Sequence, residues 1–266
     1  MWLRLGSILL AAPVVIACVW YGGVPFLLLT LLLALISVNE FYQMMQKRSF
    51  RPAYYVGSFF TIFFIVFAFF ALKKNWEPAH SAILTGAVSI TLVSGLFLRR
   101  TRDVIVDVAV TLLGMVYVGW FFSYLLFVRS LTDHGAFLFF LIATVWATDI
   151  AAYLVGTVFG RHKLNPEISP KKTIEGAAAG LLVGIAAGLI FSQFIEMDML
   201  HAVFLGALVS VLAQVSDLVE SMLKRDVGVK DSGAFLPGHG GVLDRMDSFI
   251  LAAPVLYYYV VWFVGK

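Results

Sequence analysis

The chain has 266 residues, of which 61% are hydrophobic and only 13% are charged. Soluble globular domains carry about 25% charged residues, so this composition excludes that class and indicates a polytopic membrane protein. The formal net charge of +3 gives no sign of nucleic-acid binding, and the single cysteine, Cys18, cannot form an internal disulfide.

Nine apolar segments approach the length that a bilayer-spanning helix needs, which is about 20 residues. They cover 5–21, 24–44, 53–72, 82–98, 104–128, 136–159, 173–195, 199–223 and 249–264. The first resembles a signal peptide, but its apolar run continues past Cys18, so we interpret it as an uncleaved helix. The sequence therefore predicts an all-α polytopic integral membrane protein with about nine transmembrane helices. We expect one integrated membrane domain. Residues 1–130 should form its N-terminal helices, and residues 131–266 should form its C-terminal helices, which carry the catalytic site.

The basic residues are distributed unevenly among the loops between these segments. If the N-terminus is cytoplasmic, only Lys73, Lys74, Arg129 and Lys266 fall on the outer side, and the other 15 of the 19 basic residues fall on the inner side. Cytoplasmic loops carry the excess of Lys and Arg in membrane proteins. This orientation is therefore predicted, and it places the polar loops after the sixth and eighth segments in the cytoplasm.

The sixth segment contains one acid, Asp149, at roughly 15 Å from its inner end by helical rise. A carboxylate at that depth should face the protein interior or a water-filled cavity rather than lipid. Two interpretations remain open: the acid belongs to a functional site, or it is a hydrogen-bonded group that holds helices together.

Two lysines precede the seventh segment. Ser169 and Pro170 match an N-cap and a first helical residue, which would place Lys171 and Lys172 in the first turn of the helix. Positive charge there opposes the helix dipole, so the pair favours an anion-binding site. Ordinary positive-inside anchoring would also place lysines here.

Glycines recur every fourth residue in the seventh segment, at Gly176, Gly180, Gly184 and Gly188. One face of this helix is nearly bare backbone, which is the pattern of close helix–helix approach in membranes. A ligand channel along that face is the alternative.

The longest polar interruption runs from Asp217 to Asp247 and contains six acids, four bases, one histidine and five glycines. Carboxylates mixed with Lys and Arg in a glycine-rich backbone suit magnesium and polyphosphate. Helical spacing places Asp217, Ser221 and Lys224 on one face, although Lys224 could equally form an i,i+4 pair with Glu220. A solvated cytoplasmic loop is the ordinary alternative for the whole stretch.

Within this stretch the chain reads Ser221-Met-Leu-Lys224-Arg225-x4-Lys230-Asp231-x-Gly233-x2-Leu236-Pro237-x-His239-Gly240-Gly241-x-Leu243-Asp244-Arg245-x-Asp247. This pattern resembles the signature of the phosphatidate cytidylyltransferases, also called CDP-diacylglycerol synthases. The upstream patterns Asp149-x3-Tyr153-x2-Gly156-x3-Gly160 and Ser169-Pro-Lys-Lys-Thr-x-Glu-Gly176 look like a second block of that family. Together they cover the C-terminal half, and the first five segments match only in hydrophobic character.

The resemblance implies condensation of CTP with phosphatidic acid to give CDP-diacylglycerol and pyrophosphate. It implies dependence on Mg²⁺ or another divalent cation, and it leaves a monovalent cation and a homodimer open. The expected location is the cell inner membrane, with a polar active-site cavity that faces the cytoplasm and opens sideways to the bilayer. No nucleic-acid partner is expected.

The expected site residues follow from the resemblance and from their places along the chain. Asp217 at the end of the eighth segment and Asp244 just before the ninth should lie at similar depth, and they are the expected metal ligands. The expected catalytic residues are Asp217, Asp244, Lys224, Arg225 and Asp247. The expected substrate-binding residues are Lys171, Lys172, Ser221, Lys230, Asp231, His239, Arg245 and Asp149.

Other functions remain compatible with the residues alone. A CTP-dependent lipid kinase, or a cytidylyltransferase for another lipid phosphate, would use similar groups. A secondary transporter with Asp149 and Asp217 as ion sites belongs to a different class, and it would show solute flux without CTP turnover.

Overall fold

The structure, a computed structural model, describes residues 2–74, 77–97, 103–233 and 240–265. Ten α-helices and two short strands occur in these ranges. They are α1 Trp2–Tyr21, α2 Gly23–Gln46, α3 Tyr54–Lys74, α4 Glu77–Ser94, α5 Val104–Gly114, α6 Phe121–Ser130, α7 Ala136–Phe159, β1 Lys163–Asn165, β2 Ser169–Thr173, α8 Ile174–Ser192, α9 Met199–Asp226 and α10 Leu243–Tyr259. A π-helical turn, Met115–Trp120, joins α5 to α6 in one rod, and a second, Val260–Val264, extends α10.

Eight of the described helical rods are long and apolar enough to cross a membrane. A shorter apolar helical stretch, Ala12–Tyr21 of α1, precedes them. This confirms the predicted all-α, multi-pass membrane fold. The first two helices are separate because Gly22 and Gly23 both have positive φ, at 62° and 56°. Glycine enters that region without steric strain, so the chain can break there.

The chain divides into two compact units. The first unit comprises Met1–Ser130 and Val227–Arg245, and the second comprises Leu131–Asp226 and Met246–Lys266. The glycine-rich segment after α9 thus belongs to the first unit, although it follows helices of the second unit in sequence.

Bulky aromatic side chains fill the first unit. Phe41, Phe64 and Phe122 are almost completely buried. The Tyr42 ring occupies the space that side chains at Gly57 and Gly114 would need, and its hydroxyl donates a hydrogen bond to the Thr111 carbonyl oxygen at 2.9 Å. Aromatic packing against glycine therefore holds α2, α3 and α5 together.

The second unit depends on the glycine face of α8. Gly176, Gly180, Gly184 and Gly188 are all buried. A Cβ atom at Gly180 would lie 2.9 Å from the Thr148 carbonyl oxygen of α7, and one at Gly188 would lie 3.1 Å from the Gly206 Cα of α9. The prediction of close helix–helix approach is confirmed, because only bare backbone fits between these neighbours.

The helical start expected at Ser169 and Pro170 is wrong. Residues Ser169–Thr173 form strand β2, which pairs antiparallel with β1. The Asn165 side-chain oxygen accepts a hydrogen bond from the Ile168 N–H at 3.1 Å, which closes the turn between the strands. The cap of α8 is Thr173, whose hydroxyl accepts from the Gly176 N–H at 3.2 Å.

This correction removes Lys171 and Lys172 from the helix N-terminus, so their places do not depend on the helix dipole. Glu175 takes the first turn instead, where negative charge is favourable. Its carboxylate accepts hydrogen bonds from the backbone N–H groups of Arg161 and His162 at 3.1 and 3.2 Å. The hairpin is thereby fastened to the start of α8.

The last helix also begins earlier than expected. The apolar pattern predicts a start at 249, whereas α10 begins at Leu243. Asp244 therefore lies in the first helical turn rather than before it, where a carboxylate stabilises exposed N–H groups. Asp247 lies within the same helix.

Replacement of Gly184 by leucine should destabilise the protein. A Cβ atom there would overlap the Ser210 and Thr148 hydroxyl groups, which hydrogen-bond each other at 2.9 Å. Overpacking of this kind costs about 1–3 kcal/mol, so we expect the thermal midpoint in detergent to fall by several degrees.

Gly86→Leu in α4 is the matched control. It is also a helical glycine, but nothing lies within 4 Å of the Cβ position, so its midpoint should stay close to that of the parent chain. Equal midpoints for the two variants would show that the α8 face does not require glycine.

Candidate active site

A cavity of about 600 Å³ opens within the second unit. Helices α7, α8 and α9 and the β1–β2 hairpin all contribute to its wall. The lining residues are Asp149, Ala152, Tyr153, Gly156, Thr157, Gly160, Lys163, Leu164, Lys171, Lys172, Thr173, Ala177, Gln214 and Asp217. This volume lies in the range of small-molecule and cofactor sites.

Gly156 in α7 and Gly160 directly after it shape this cavity together with the cap of α8. A Cβ atom at Gly156 would lie 2.9 Å from the Thr173 hydroxyl oxygen, and one at Gly160 would lie 2.7 Å from the same atom. The hairpin can therefore approach α7 closely enough for Lys171 and Lys172 to reach the cavity wall. Close packing against Thr173 thus explains why glycine occupies both of these positions in the family-like pattern.

An ion pair joins the hairpin to α9 at the cavity wall. Lys172 Nζ lies 2.6 Å from Asp217 Oδ2, and both side chains are slightly less than one-third exposed. The Ser221 hydroxyl, one helical turn beyond, donates to Asp217 Oδ1 at 3.4 Å. The structure thus brings Lys172 of the hairpin to Asp217 and Ser221, which the sequence predicted to share one face of the helix.

The other predicted residues of this cavity are Asp149 and Lys171. Asp149 lines the cavity wall, which is the kind of position that the sequence predicted for a carboxylate at this depth. Lys171 is exposed on the hairpin and lines the same cavity. The cavity wall therefore carries three lysines, Lys163, Lys171 and Lys172, and two carboxylates, which can bind an anion and a cation side by side.

Lys224 lies on the same helix but is buried against Glu220, with which it forms the i,i+4 ion pair. Glu220 itself has no exposed surface. Arg225 points toward the hairpin, and its Nε donates to the Ile168 carbonyl oxygen at 3.2 Å. These two basic residues therefore also hold α9 and the hairpin turn in place.

Asp247 is a buried acid of α10 within the second unit. Its carboxylate accepts a hydrogen bond from the Ser248 N–H at 2.6 Å. Its backbone oxygen accepts from the Ser216 hydroxyl of α9. The acid is thus held rigidly against α9.

The rest of the predicted site belongs to the first unit. Asp244 accepts hydrogen bonds from the backbone N–H groups of Gly241, at 2.8 Å, and of Ser232, at 3.1 Å. Lys230 and Asp231 are exposed and line a second cavity, of about 460 Å³, beside the end of α2. Arg245 is exposed in the first turn of α10.

Some predicted residues lie outside the described residues. They are His239 of the signature, the inner-side residues Arg99, Arg100 and Arg102, and the outer-side Lys266. The expected metal pair joins Asp217 of the second unit to Asp244 of the first, and it stays a prediction.

One cluster of interacting side chains in the second unit contains more acidic than basic groups. Four carboxylates and two lysines interact there: Asp149, Asp217, Glu220, Asp247, Lys172 and Lys224. Within the described parts of the chain, no three acidic, histidine or cysteine side chains lie close enough to form a ready-made metal site. The surplus of hard oxygen donors nevertheless fits a divalent cation, since such ions take carboxylate ligands and would balance the excess negative charge.

Comparison with known sequences agrees with this chemistry. The sequence model of the Cytidylyltransferase family matches residues 2–263. The chain belongs to this family. The Bacillus subtilis (strain 168) phosphatidate cytidylyltransferase is 34% identical over 262 residues, which cover 96% of this chain and 95% of that protein. Those of Staphylococcus haemolyticus and Staphylococcus aureus (strain COL) are 36% and 37% identical over 238 residues, which cover 88% of this chain and 89% of each relative.

Sequence reasoning missed one residue that contacts the family signature. Glu40 lies in α2, is only 4% exposed, and accepts a hydrogen bond from the Leu243 N–H at 2.9 Å. The available signal was a carboxylate within an otherwise apolar segment, which in membrane helices indicates an interior position.

Proposed function

We propose that this chain transfers the cytidylyl group of CTP to phosphatidate, giving CDP-diacylglycerol and pyrophosphate. The observation that carries this proposal is the family match over nearly the whole chain, which includes every signature position. The charged cavity of the second unit supplies a polar space among apolar helices where such substrates can bind.

The reaction balances without a protein nucleophile. A phosphate oxygen of phosphatidate attacks the α-phosphorus of CTP, a new P–O bond forms, and the bond to the β-phosphate oxygen breaks. The lipid phosphate is already ionised near neutral pH, so the attacking oxygen needs no strong general base. Catalysis therefore depends on the positioning of two phosphates and on the neutralisation of charge on the departing pyrophosphate.

Basic side chains of this chain can supply part of that neutralisation. Lys171 and Lys172 reach the cavity wall from the hairpin. The ion pair with Asp217 orients the Lys172 ammonium group before any substrate binds. Lys172 Nζ is itself buried at this ion pair, whereas Lys171 is exposed on the hairpin, so Lys171 is the lysine that a phosphate oxygen can approach directly.

Asp217 and Asp244 are the residues proposed to hold a magnesium ion. Asp217 belongs to a cluster in which carboxylates outnumber lysines, and Asp244 is oriented by hydrogen bonds from two backbone N–H groups. When bound, the ion would offset charge on the phosphates. Asp247, held by α9, is proposed to orient this arrangement.

The direct test is to incubate the purified protein with labelled CTP, magnesium chloride and phosphatidic acid in detergent. A cytidine-bearing lipid and an equal amount of pyrophosphate are expected. Phosphorylated lipid without cytidine would instead indicate a kinase, and no CTP turnover would exclude the proposal.

Asp217→Asn and Asp244→Asn should each abolish nearly all CTP turnover while the protein stays folded. Changes to residues that only orient metal ligands reduce activity by about 10–100-fold, so loss of a ligand should reduce kcat by roughly 100-fold or more. Residual activity should require a higher magnesium concentration. The measurement is kcat against magnesium concentration, with thermal midpoints as a check on folding.

Asp226→Asn is the matched control, because Asp226 is an exposed acid at the end of the same helix as Asp217. Its kcat should stay close to that of the parent chain. A near-normal rate at ordinary magnesium for Asp217→Asn or Asp244→Asn would exclude that acid as an essential ligand.

We also propose that the active site faces the cytoplasm of a bacterial inner membrane. The support is the excess of Lys and Arg in the loops that carry the hairpin and the signature. CTP is a cytoplasmic nucleotide, so an active site on that side needs no transport step.

Single cysteines in a Cys18→Ser background test this orientation. Glu167→Cys at the hairpin turn and Asp133→Cys between α6 and α7 both place the thiol on an exposed residue. A membrane-impermeant maleimide added to intact cells should label Asp133→Cys, and it should label Glu167→Cys only after the cells are opened. Labelling of both variants in intact cells would contradict the proposed topology.

A further inference from the structure

Glu40 is a buried acid of the first unit that the reaction described above does not use. Its carboxylate oxygen Oε2 accepts the Leu243 N–H at 2.9 Å. Gly233 and Gly241 pack directly against the carboxylate, since a side chain at either position would overlap it. Glu40 therefore contacts the signature segment on both sides of 234–239.

Asp244 contacts the same two pieces of chain. It accepts hydrogen bonds from the N–H groups of Ser232 and Gly241. The Glu40 and Asp244 carboxylates thus connect Ser232–Gly233 to Gly241–Leu243. We call these two short segments together the loop neck. Both carboxylates also interact electrostatically with each other.

Stability alone gives a poor account of this arrangement. The Glu40 carboxylate is only 4% exposed and lies near the Asp244 carboxylate. Burial of a carboxylate costs free energy, and so does a second carboxylate placed near it. An uncharged side chain of similar size would satisfy the packing at lower cost.

We propose that Glu40 is a positioning residue for the cytidylyl transfer, and that it fixes the loop neck so that the Asp244 carboxylate is held in one orientation. This inference rests on the proposed function, because it assigns Asp244 a role in binding the cation. The neck can be fixed by an acceptor at this position, whereas loss of the acceptor frees the Leu243 N–H and opens a space beneath Gly233 and Gly241.

Three variants of the full-length protein test this role. Glu40→Ala removes the acceptor, and Glu40→Gln keeps one carbonyl oxygen that can accept the Leu243 N–H. Asp107→Asn is the matched control. Asp107 is also a buried acid of the first unit, but it accepts the Arg51 N–H, at 2.7 Å, instead of an N–H group of the neck. Each variant is compared at equal folded fraction.

The first measurement is kcat, KM for CTP, and the magnesium concentration at half-maximal rate. Glu40→Ala should reduce kcat by about 10–100-fold and raise the magnesium requirement, as expected when an orienting residue is lost. Glu40→Gln should recover at least part of the lost kcat. Asp107→Asn should lower the thermal midpoint without changing the magnesium requirement.

The second measurement does not depend on activity. Amide hydrogen exchange of peptides that cover the loop neck, recorded in EDTA without substrate, should be faster in Glu40→Ala than in the parent chain and in Asp107→Asn. Unchanged neck exchange, or a kcat within twofold of the parent, would overturn the proposal. If the parent chain forms no cytidine lipid, the proposed function fails, and the exchange data still decide whether Glu40 fixes the neck.

Discussion

Carboxylates that lie among membrane-spanning helices must find partners within the protein, and this constraint organises the second unit. Asp217 pairs with Lys172, and Glu220 pairs with Lys224. Each lysine therefore has a structural task in addition to any contact with substrate. The Lys172 pair connects α9 to the hairpin, and the Lys224 pair stabilises α9 along its own length.

The charged cavity depends in turn on the absence of side chains elsewhere. The glycine face of α8 lets α7 and α9 approach its backbone, and Gly156 of α7 and Gly160 just after it make room for Thr173. Without this close packing, the hairpin could not bring Lys172 within 2.6 Å of Asp217. The glycines therefore contribute to function by setting the distances between the helices and the hairpin. The ion pair forms only when these elements are held at the right separation.

The signature segment has a different kind of support. After α9 ends, Val227–Arg245 joins the first unit, where aromatic packing around Tyr42 and Phe41 gives α2 a fixed place. Glu40 projects from this helix and receives the Leu243 N–H. The N-terminal helices, which the family resemblance covers only in hydrophobic character, thus contribute a polar contact to the signature.

The sequence alone determined the membrane class, the helix count and the family, because long apolar runs and a long specific motif are local properties of the chain. It also predicted the α8 packing face, since a four-residue glycine spacing marks one side of a helix whatever lies opposite. It misplaced the start of α8. Asn165 closes a hairpin before this helix and Thr173 caps it, and these contacts are not predicted by the usual N-cap and proline pattern. Only the tertiary structure decided that Lys172 pairs with Asp217, 45 residues away, and that Glu40 meets Leu243 across 203 residues. Such partners are chosen by how helices pack, and a carboxylate in an apolar segment reveals that it needs a partner without revealing which one.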